Sequence, residues 1–239
     1  MRLYGKRPVL ERLTAAPKSI RALYIEQGVD AADVVNAAKS AGISFDSLGK
    51  RDFAHKAGDL HAQGVLAEID EFQYVDLDRM MNGRGEKPTL VLLDRVTDPQ
   101  NLGAILRTLA CLGSFGLVLP KHDSVEVTET VLRVACGGEN YVPVARVTNL
   151  TRGCENAKEA GYWIAGAAAS GGTPLPEAKL PVPLAVILGS EGSGIRPGLT
   201  KHLDLTVTLP MAGAALSFNV AAAAALIGYE ITRRRKENL

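Results

Sequence analysis

The sequence predicts an α/β protein, a parallel sheet covered by helices on both faces and preceded by a smaller α/β unit. Three observations carry this. Short, continuous apolar runs such as "LVLLD" and "LAVILG" have strand length and read as strands buried on both faces. They alternate with stretches of helical spacing such as "NLGAILRTLACLG", and such alternation builds a parallel sheet. Finally, the polar stretch "DLDRMMNGRGEKP" (Asp76 to Pro88) breaks all periodicity. It predicts a first unit over residues 1–76, a linker over 77–88 and a larger domain over 89–239.

In the first unit, "RPVLERLTA" has helical spacing, with Pro8 tolerable in a first turn. "IRALYIEQ" reads as a strand, and "DAADVVNAAKSAG" as an amphipathic helix closed by Gly42. "ISFDSL" and "GVLAEIDEF" are two more strands. In the larger domain, "LVLLD", "GLVLP", "YVPVARV", "YWIAGAAA", "LAVILG" and "LTVTLP" read as strands. "NLGAILRTLACLG", "VTETVLRVACGG" and "NLTRGCENAKEAG" read as helices, and a last helix is expected from about Ser217 to Arg235.

Composition excludes several classes. No apolar run approaches the roughly 18 residues of a membrane span, and no apolar signal region follows the basic start, which favours the cytoplasm. Cys111, Cys136 and Cys154 lack CxxC spacing and are expected to be reduced, mostly buried thiols. The four histidines have no metal-ligand spacing, so no metal is expected. The net charge of +1 does not announce a nucleic-acid partner. Basic residues nonetheless cluster at Lys6 and Arg7, at Lys50 and Arg51, and from Arg233 to Lys236, each of which charge patterning alone would place on a solvated surface or a helix end.

Three segments at the ends of predicted strands stand out. In "DPQNLGAILRT", Asn101 stands where a helix cap is wanted. Gly103 and Arg107 share a helix face, and the glycine lets a backbone or a ligand come close. In "ILGSEGSGIRPG" the glycine spacing is G-x-x-G-x-G, not the dinucleotide G-x-G-x-x-G, and Glu191 is a lone carboxylate between glycines. In "TLPMAGAALSFNVAAAAALIGYE", Ser217 or Asn219 caps a helix of small and apolar residues, which must be buried against its own domain or a second subunit. Each segment alone also reads as a capped helix, a tight turn or a core helix.

Together, in this order, "DPQNLGAILRT", "LGSEGSGI" and "LPMAGAALSFNV" resemble the three signature segments of the SpoU (TrmH-like) branch of the SPOUT RNA 2′-O-ribose methyltransferases. "VACGGENYVPVARVTNL" is most similar to the members acting on guanosine of bacterial large-subunit rRNA, and "LHAQGVLAEI" resembles their RNA substrate-binding domain. The resemblance implies a parallel-sheet methyltransferase domain with a C-terminal deep trefoil knot, a small N-terminal α/β RNA-binding domain, S-adenosylmethionine as cofactor, RNA as partner and a homodimer. By position, it implies Asn101, Arg107, Glu191, Ser217 and Asn219 as the catalytic set. Cofactor contacts fall at Gly189, Leu209 and Phe218, with others at Ala167, Met211 and Leu216. RNA contacts are expected from Lys6, Arg7, Lys50 and Arg51, with His61 and Gln63 near the RNA. Two positions depart from the family pattern: Phe218 replaces a usual Leu and Gln100 a frequent His.

The chemistry so implied is displacement of a methyl group from a sulfonium by a ribose hydroxyl, a weak nucleophile when neutral. The family proposal makes the arginine the base. A guanidinium does not deprotonate in proteins, so Arg107 is alternatively a cation that orients phosphate and stabilises a developing alkoxide. A tRNA methyltransferase and a non-catalytic RNA-binding protein on the same fold are the competing readings.

Overall fold

A computed structural model describes residues 1–83, 85–190, 192–214 and 216–237 of the chain. The first 76 residues form a four-stranded mixed sheet. Its elements are β1 (Arg2–Tyr4), α1 (Lys6–Ala15), β2 (Ile20–Glu26), α2 (Ala32–Ser40), β3 (Asp46–Leu48), α3 (Lys50–Ala57) and β4 (Val65–Ile69). The order is β1-β4-β2-β3, with β4 antiparallel to both β1 and β2, and β3 parallel to β2. β1 and α3 are not anticipated in the sequence. In "KRDFAHKA" only Phe53 and Ala57, four apart, are buried, too little apolar material for a periodic signal.

Of the polar segment 77–88, residues 77–82 form α4 (Leu77–Asn82), capped by the Asp76 carboxylate, which accepts from the Arg79 amide at 2.9 Å. Leu77 and Met81 are buried. Just before it, Val75 bridges to Ala145, and its amide donates to the Val144 carbonyl at 2.9 Å, so the chain enters the second sheet along an edge strand.

That second sheet has seven strands, all parallel. In chain order its elements are β5 (Thr89–Asp94), α5 (Pro99–Leu112), β6 (Phe115–Pro120), α6 (Glu129–Ala135), β7 (Val144–Val147), α7 (Leu150–Glu159), β8 (Trp163–Ala168), β9 (Thr173–Pro174), β10 (Leu184–Gly189), α8 (Pro197–Thr200), β11 (Leu205–Thr208) and α9 (Val220–Glu237). The order is β7-β6-β5-β10-β8-β11-β9. Period-2 alternation sends the side chains of one strand to opposite faces. Val91 and Leu93 join the core under α5, α6 and α9, whereas Leu90 and Leu92 join that under α4, α7 and α8. This is why the central strands read as unbroken apolar runs.

The first of these cores continues into the N-terminal unit through Leu3, Val9 and Leu13. Polar contacts reinforce that junction. Arg12 pairs with Glu139 at 3.0 Å, Arg2 with Glu129 at 3.3 Å, and the Tyr74 hydroxyl accepts from the Val127 amide at 2.9 Å. Burial pushes the Glu139 carboxyl above its usual range, against the pull of Arg12.

Several sequence expectations are corrected. Asp98, not Asn101, caps α5, because the helix starts at Pro99 and the Asp98 carboxylate accepts from the Gln100 amide at 2.8 Å. Of the two caps expected for α9, Asn219 is the one used, accepting from the amides of Ala221 (2.9 Å) and Ala222 (3.3 Å); the helix starts at Val220 and runs on to Glu237, beyond the expected Arg235. Only Cys154 is buried, its thiol pushed up to about 12 by burial; Cys136 is half-buried and Cys111 exposed on α5. α9 has Leu226 and Tyr229 44% and 62% exposed within its own chain, which leaves the second-subunit alternative of the sequence reading open. Among the described residues no helix is long and apolar enough to cross a membrane, and no cluster of three metal-ligating side chains occurs.

Candidate active site

A parallel sheet binds ligands outside the carboxyl ends of its strands, where the strand order switches direction. Here β5, β6 and β7 run outward to one edge, while β10 and β8 extend the other way. A cavity of about 260 Å³ lies at the carboxyl ends of that second half. Ala167 to Ala169 follow from β8, Leu188 to Ser190 from β10, and Leu209 from β11; Gly192, Gly194, Met211, Ser217, Phe218, Val220 and Ala223 complete the wall. The lining is apolar side chain and glycine-rich backbone, suited to a flat heterocycle with a polar edge read by main-chain groups.

Five of the six expected cofactor residues, Ala167, Gly189, Leu209, Met211 and Phe218, converge on this cavity, with Ser217 beside them. Leu216 does not line it and is 73% exposed. Glu191 lies outside the described residues.

The loop after β10 is shaped by its glycines. Gly194 has φ +62°, its amide donates to the Ser190 carbonyl at 2.8 Å, and a Cβ on Gly189 would fall 2.1 Å from the Gly194 carbonyl carbon. The turn therefore folds directly onto Gly189, leaving room for glycine alone. Five polar side chains fix the turn. Asp94, fully buried at the end of β5, pairs with the Arg196 guanidinium at 2.7 Å and accepts from the Arg196 amide at 2.8 Å. Arg95 donates to the Ser193 hydroxyl at 2.7 Å, and the Ser190 and Ser193 hydroxyls bond at 2.8 Å. Sequence reasoning missed Asp94, Arg95 and Arg196; the usable signal was a carboxylate closing the apolar run "LVLLD".

The first and third segments meet at the cavity's edge. Asn219 Nδ2 donates to Asn101 Oδ1 at 2.9 Å, while Asn219 Oδ1 caps α9. One amide thus ties the start of α5 to the start of α9, whose Val220 and Ala223 line the cavity. Gly103, expected to admit a ligand or a backbone, admits the latter. A Cβ there would meet the Val134 side chain at 2.5 Å and the Val131 carbonyl oxygen at 2.9 Å, so it marks the contact of α5 with α6.

Arg107 is exposed six residues beyond Asn101, about 9 Å along the helix, and is not part of the cavity wall of its own chain. It lines a second cavity of about 320 Å³ together with Arg7, Glu11, Ala110, Cys111, residues 135–138 and Tyr141. Burial pushes the Cys136 thiol up in this cavity, against the pull of Arg107 and Arg7. Lys6 and Arg7 start α1, Lys50 and Arg51 start α3, and His61 and Gln63 are exposed before β4, with Gln63 packed near Gly5. Of the third basic cluster, Arg233 and Lys236 stay exposed, whereas Arg234 and Arg235 turn inward. Arg234 reaches the carbonyls of Leu175, Pro176 and Ala178, and Arg235 those of Ser114 and the Thr89 hydroxyl, which clamps the end of α9.

A parallel sheet with an apolar, backbone-edged cavity at the carboxyl ends of β8, β10 and β11 defines an α/β protein with a small-ligand site in the usual place for such sheets. The chain belongs to the SpoU rRNA methylase family, whose model matches residues 88–229; a model described as RNA 2′-O ribose methyltransferase substrate binding matches residues 2–75. It is an RNA ribose methyltransferase by that membership. It is 38% identical over 238 residues to the 23S rRNA (guanosine-2′-O-)-methyltransferase RlmB of Neisseria meningitidis, covering 98% of this chain and 95% of that one. The enzyme of the same name from Haemophilus influenzae is 34% identical over 98% of this chain and 97% of its own. Among solved structures, the SpoU methyltransferase AviRb of Streptomyces viridochromogenes, in complex with AdoMet, superimposes with a TM-score of 0.81 at 25% identity, over 99% of this chain and 91% of that one.

Proposed function

We propose that this protein transfers a methyl group from S-adenosylmethionine to the 2′-hydroxyl of a guanosine in 23S rRNA. The single observation that carries this reading is the meeting of the second and third signature segments on one cavity at the carboxyl ends of β8, β10 and β11, with the first segment tied to the third by the Asn219–Asn101 bond. The cavity fits the cofactor. Leu209, Met211 and Phe218 offer apolar surface to an adenine ring, and the 189–194 turn offers main-chain groups to its polar edge. S-adenosylmethionine supplies a methyl group already activated on a sulfonium.

The protein's share is then positioning and charge. Arg107 carries a fixed cation for the phosphate beside the target ribose and for the developing alkoxide. Asn101 and Asn219 hold the two helix starts together, and Ser217 faces the cavity between them. The seat of Arg107 outside its own chain's cofactor cavity supports a homodimer in which one chain's arginine serves its partner's cavity. The exposed Leu226 and Tyr229 on α9 supply apolar surface for such an interface. β10 enters between β5 and β8, and β11 between β8 and β9, strands laid down earlier, which supports a C-terminal trefoil knot. Residues 1–76 are the RNA-binding domain, 77–88 the connection and 89–239 the methyltransferase domain.

The two basic pairs support RNA binding in a specific way. Lys6 and Arg7 occupy the first turn of α1, and Lys50 and Arg51 that of α3, where the helix dipole disfavours cations. Their placement works against helix stability and for capture of a polyanion. The large-subunit substrate is tested by offering labelled S-adenosylmethionine with unmodified 23S rRNA and, separately, tRNA, substrates of the reacting compartment, the cytoplasm. Label on 23S rRNA alone is expected; label on tRNA alone would overturn the substrate.

A further inference from the structure

The second cavity holds more than Arg107. It forms where the N-terminal unit meets the catalytic one, and two adjacent glycines make the junction. A Cβ on Gly137, at φ +95°, would lie 2.3 Å from the Glu11 Cβ, and one on Gly138 would lie 2.8 Å from the Arg107 Cα. The loop after α6 is thus pressed by α1 on one side and by α5 on the other. This brings Arg7 of the N-terminal unit and Arg107 of α5 to one cavity. Glu11 lies 3.7 Å from the exposed Arg7 guanidinium, and Arg107 makes no ion pair among the described residues, so the wall keeps net positive charge. Tyr141 stands at the rim, 54% exposed, its hydroxyl donating to Glu11 Oε2 at 3.2 Å. Exposure of a large ring is costly unless something covers it, and the Glu11 bond fixes its position.

We infer that this cavity is a single-nucleotide subsite, in which Tyr141 stacks on an unpaired RNA base while Arg7 and Arg107 take the adjoining phosphate. The inference rests on the methyltransferase reading above and extends it to a residue that selects the substrate. A ring with every base's π-face available gives affinity without naming the base, and the two guanidiniums add the backbone contact. The volume sits at about the lower bound of small-molecule pockets, roughly 300 Å³. It takes one splayed nucleotide and excludes a helix. Tyr141 is accordingly a positioning residue for single-stranded or loop RNA, and Glu11 holds it from the N-terminal unit.

The test compares Tyr141→Phe, Tyr141→Ala and Tyr141→Trp, the last in a Trp163→Phe background, for binding of a labelled single-stranded RNA dodecamer and its duplex, and for S-adenosylmethionine affinity. Phe, which keeps the ring and loses the Glu11 bond, is expected to bind the single strand less tightly than the unaltered chain and more tightly than Ala. Ala is expected to weaken it by about five- to a hundredfold, with cofactor affinity and circular dichroism unchanged. The introduced Trp is expected to be quenched by the single strand and not by the duplex. Unchanged single-strand affinity in Tyr141→Ala, or a Trp that RNA does not quench, overturns the subsite and leaves the methyltransferase reading standing. An unaltered chain that binds no RNA overturns both.

Discussion

Tyr162 shows how one buried polar atom can be read as energy. Its ring is buried under the sheet, its hydroxyl has no hydrogen-bond partner among the described residues, and burial pushes its pKa up to about 12. An unpartnered hydroxyl is a cost that removal relieves, so Tyr162→Phe is expected to leave the urea midpoint at pH 7 unchanged or higher. The pH dependence follows from the raised value. Stability from keeping this phenol neutral is full below about pH 10, where the unfolded tyrosine begins to ionise, and is lost as pH rises towards 12. Urea unfolding at pH 7 and pH 11 should therefore show a smaller alkaline loss in the Phe variant; an equal loss would mean that Tyr162 is not the titrating group. At the same scale, a shared place on one cavity was legible in the sequence where it depended on chain order, as at Gly189, Ser217 and Phe218. Pairing was not legible where the partner came from a distant segment. Asp94 finds Arg196, and Arg12 finds Glu139, only once the strands are side by side.

The elements repeat that lesson. Central strands and the helices α2, α5, α7 and α9 were readable because each carries a long apolar period of its own. Short elements failed. α3 has one apolar pair, and β1 has three residues whose place is set by pairing with β4. A helix cap was misassigned where two capping residues lay close together, as with Asp98 and Asn101, and was left open between two candidates at Ser217 and Asn219. The Asn101–Asn219 bond makes the starts of α5 and α9 one unit, which gives a prediction at this scale. Asn219→Ala removes both the cap and the cross-link and is expected to cost about 1 kcal/mol or more of stability. Asn101→Ala removes the cross-link and leaves the cap in place. A double-mutant cycle should show coupling of at least about 0.5 kcal/mol; strict additivity would mean that the two asparagines act independently.

For the whole molecule, the two sheets share one continuous core and a buried ion pair, so the N-terminal unit is seated as well as tethered. Arg12→Ala strands the Glu139 carboxylate without its partner and is expected to lower stability by about 3–5 kcal/mol. Because burial already raises the Glu139 pKa, the deficit grows as pH rises through that value and shrinks on acidification. Adding Glu139→Gln should recover part of it at neutral pH; no recovery in thermal unfolding would place the damage elsewhere. The seating has a consequence for the proposed function, because it sets Arg7 and Glu11 beside Arg107 and Tyr141 while the cavity proposed for the cofactor lies elsewhere in the same chain. The account as a whole turns on that division between a cavity that binds the cofactor and an arginine that acts on the ribose. The most direct measurement is methyl transfer to 23S rRNA by the unaltered chain and by Arg107→Ala, with cofactor affinity measured by calorimetry on both and the product mapped by resistance to alkaline cleavage. The account predicts one alkali-resistant ribose for the unaltered chain, and for the variant no transfer with cofactor affinity retained. Near-normal transfer by Arg107→Ala, or a methyl group on a base rather than a ribose, would contradict it.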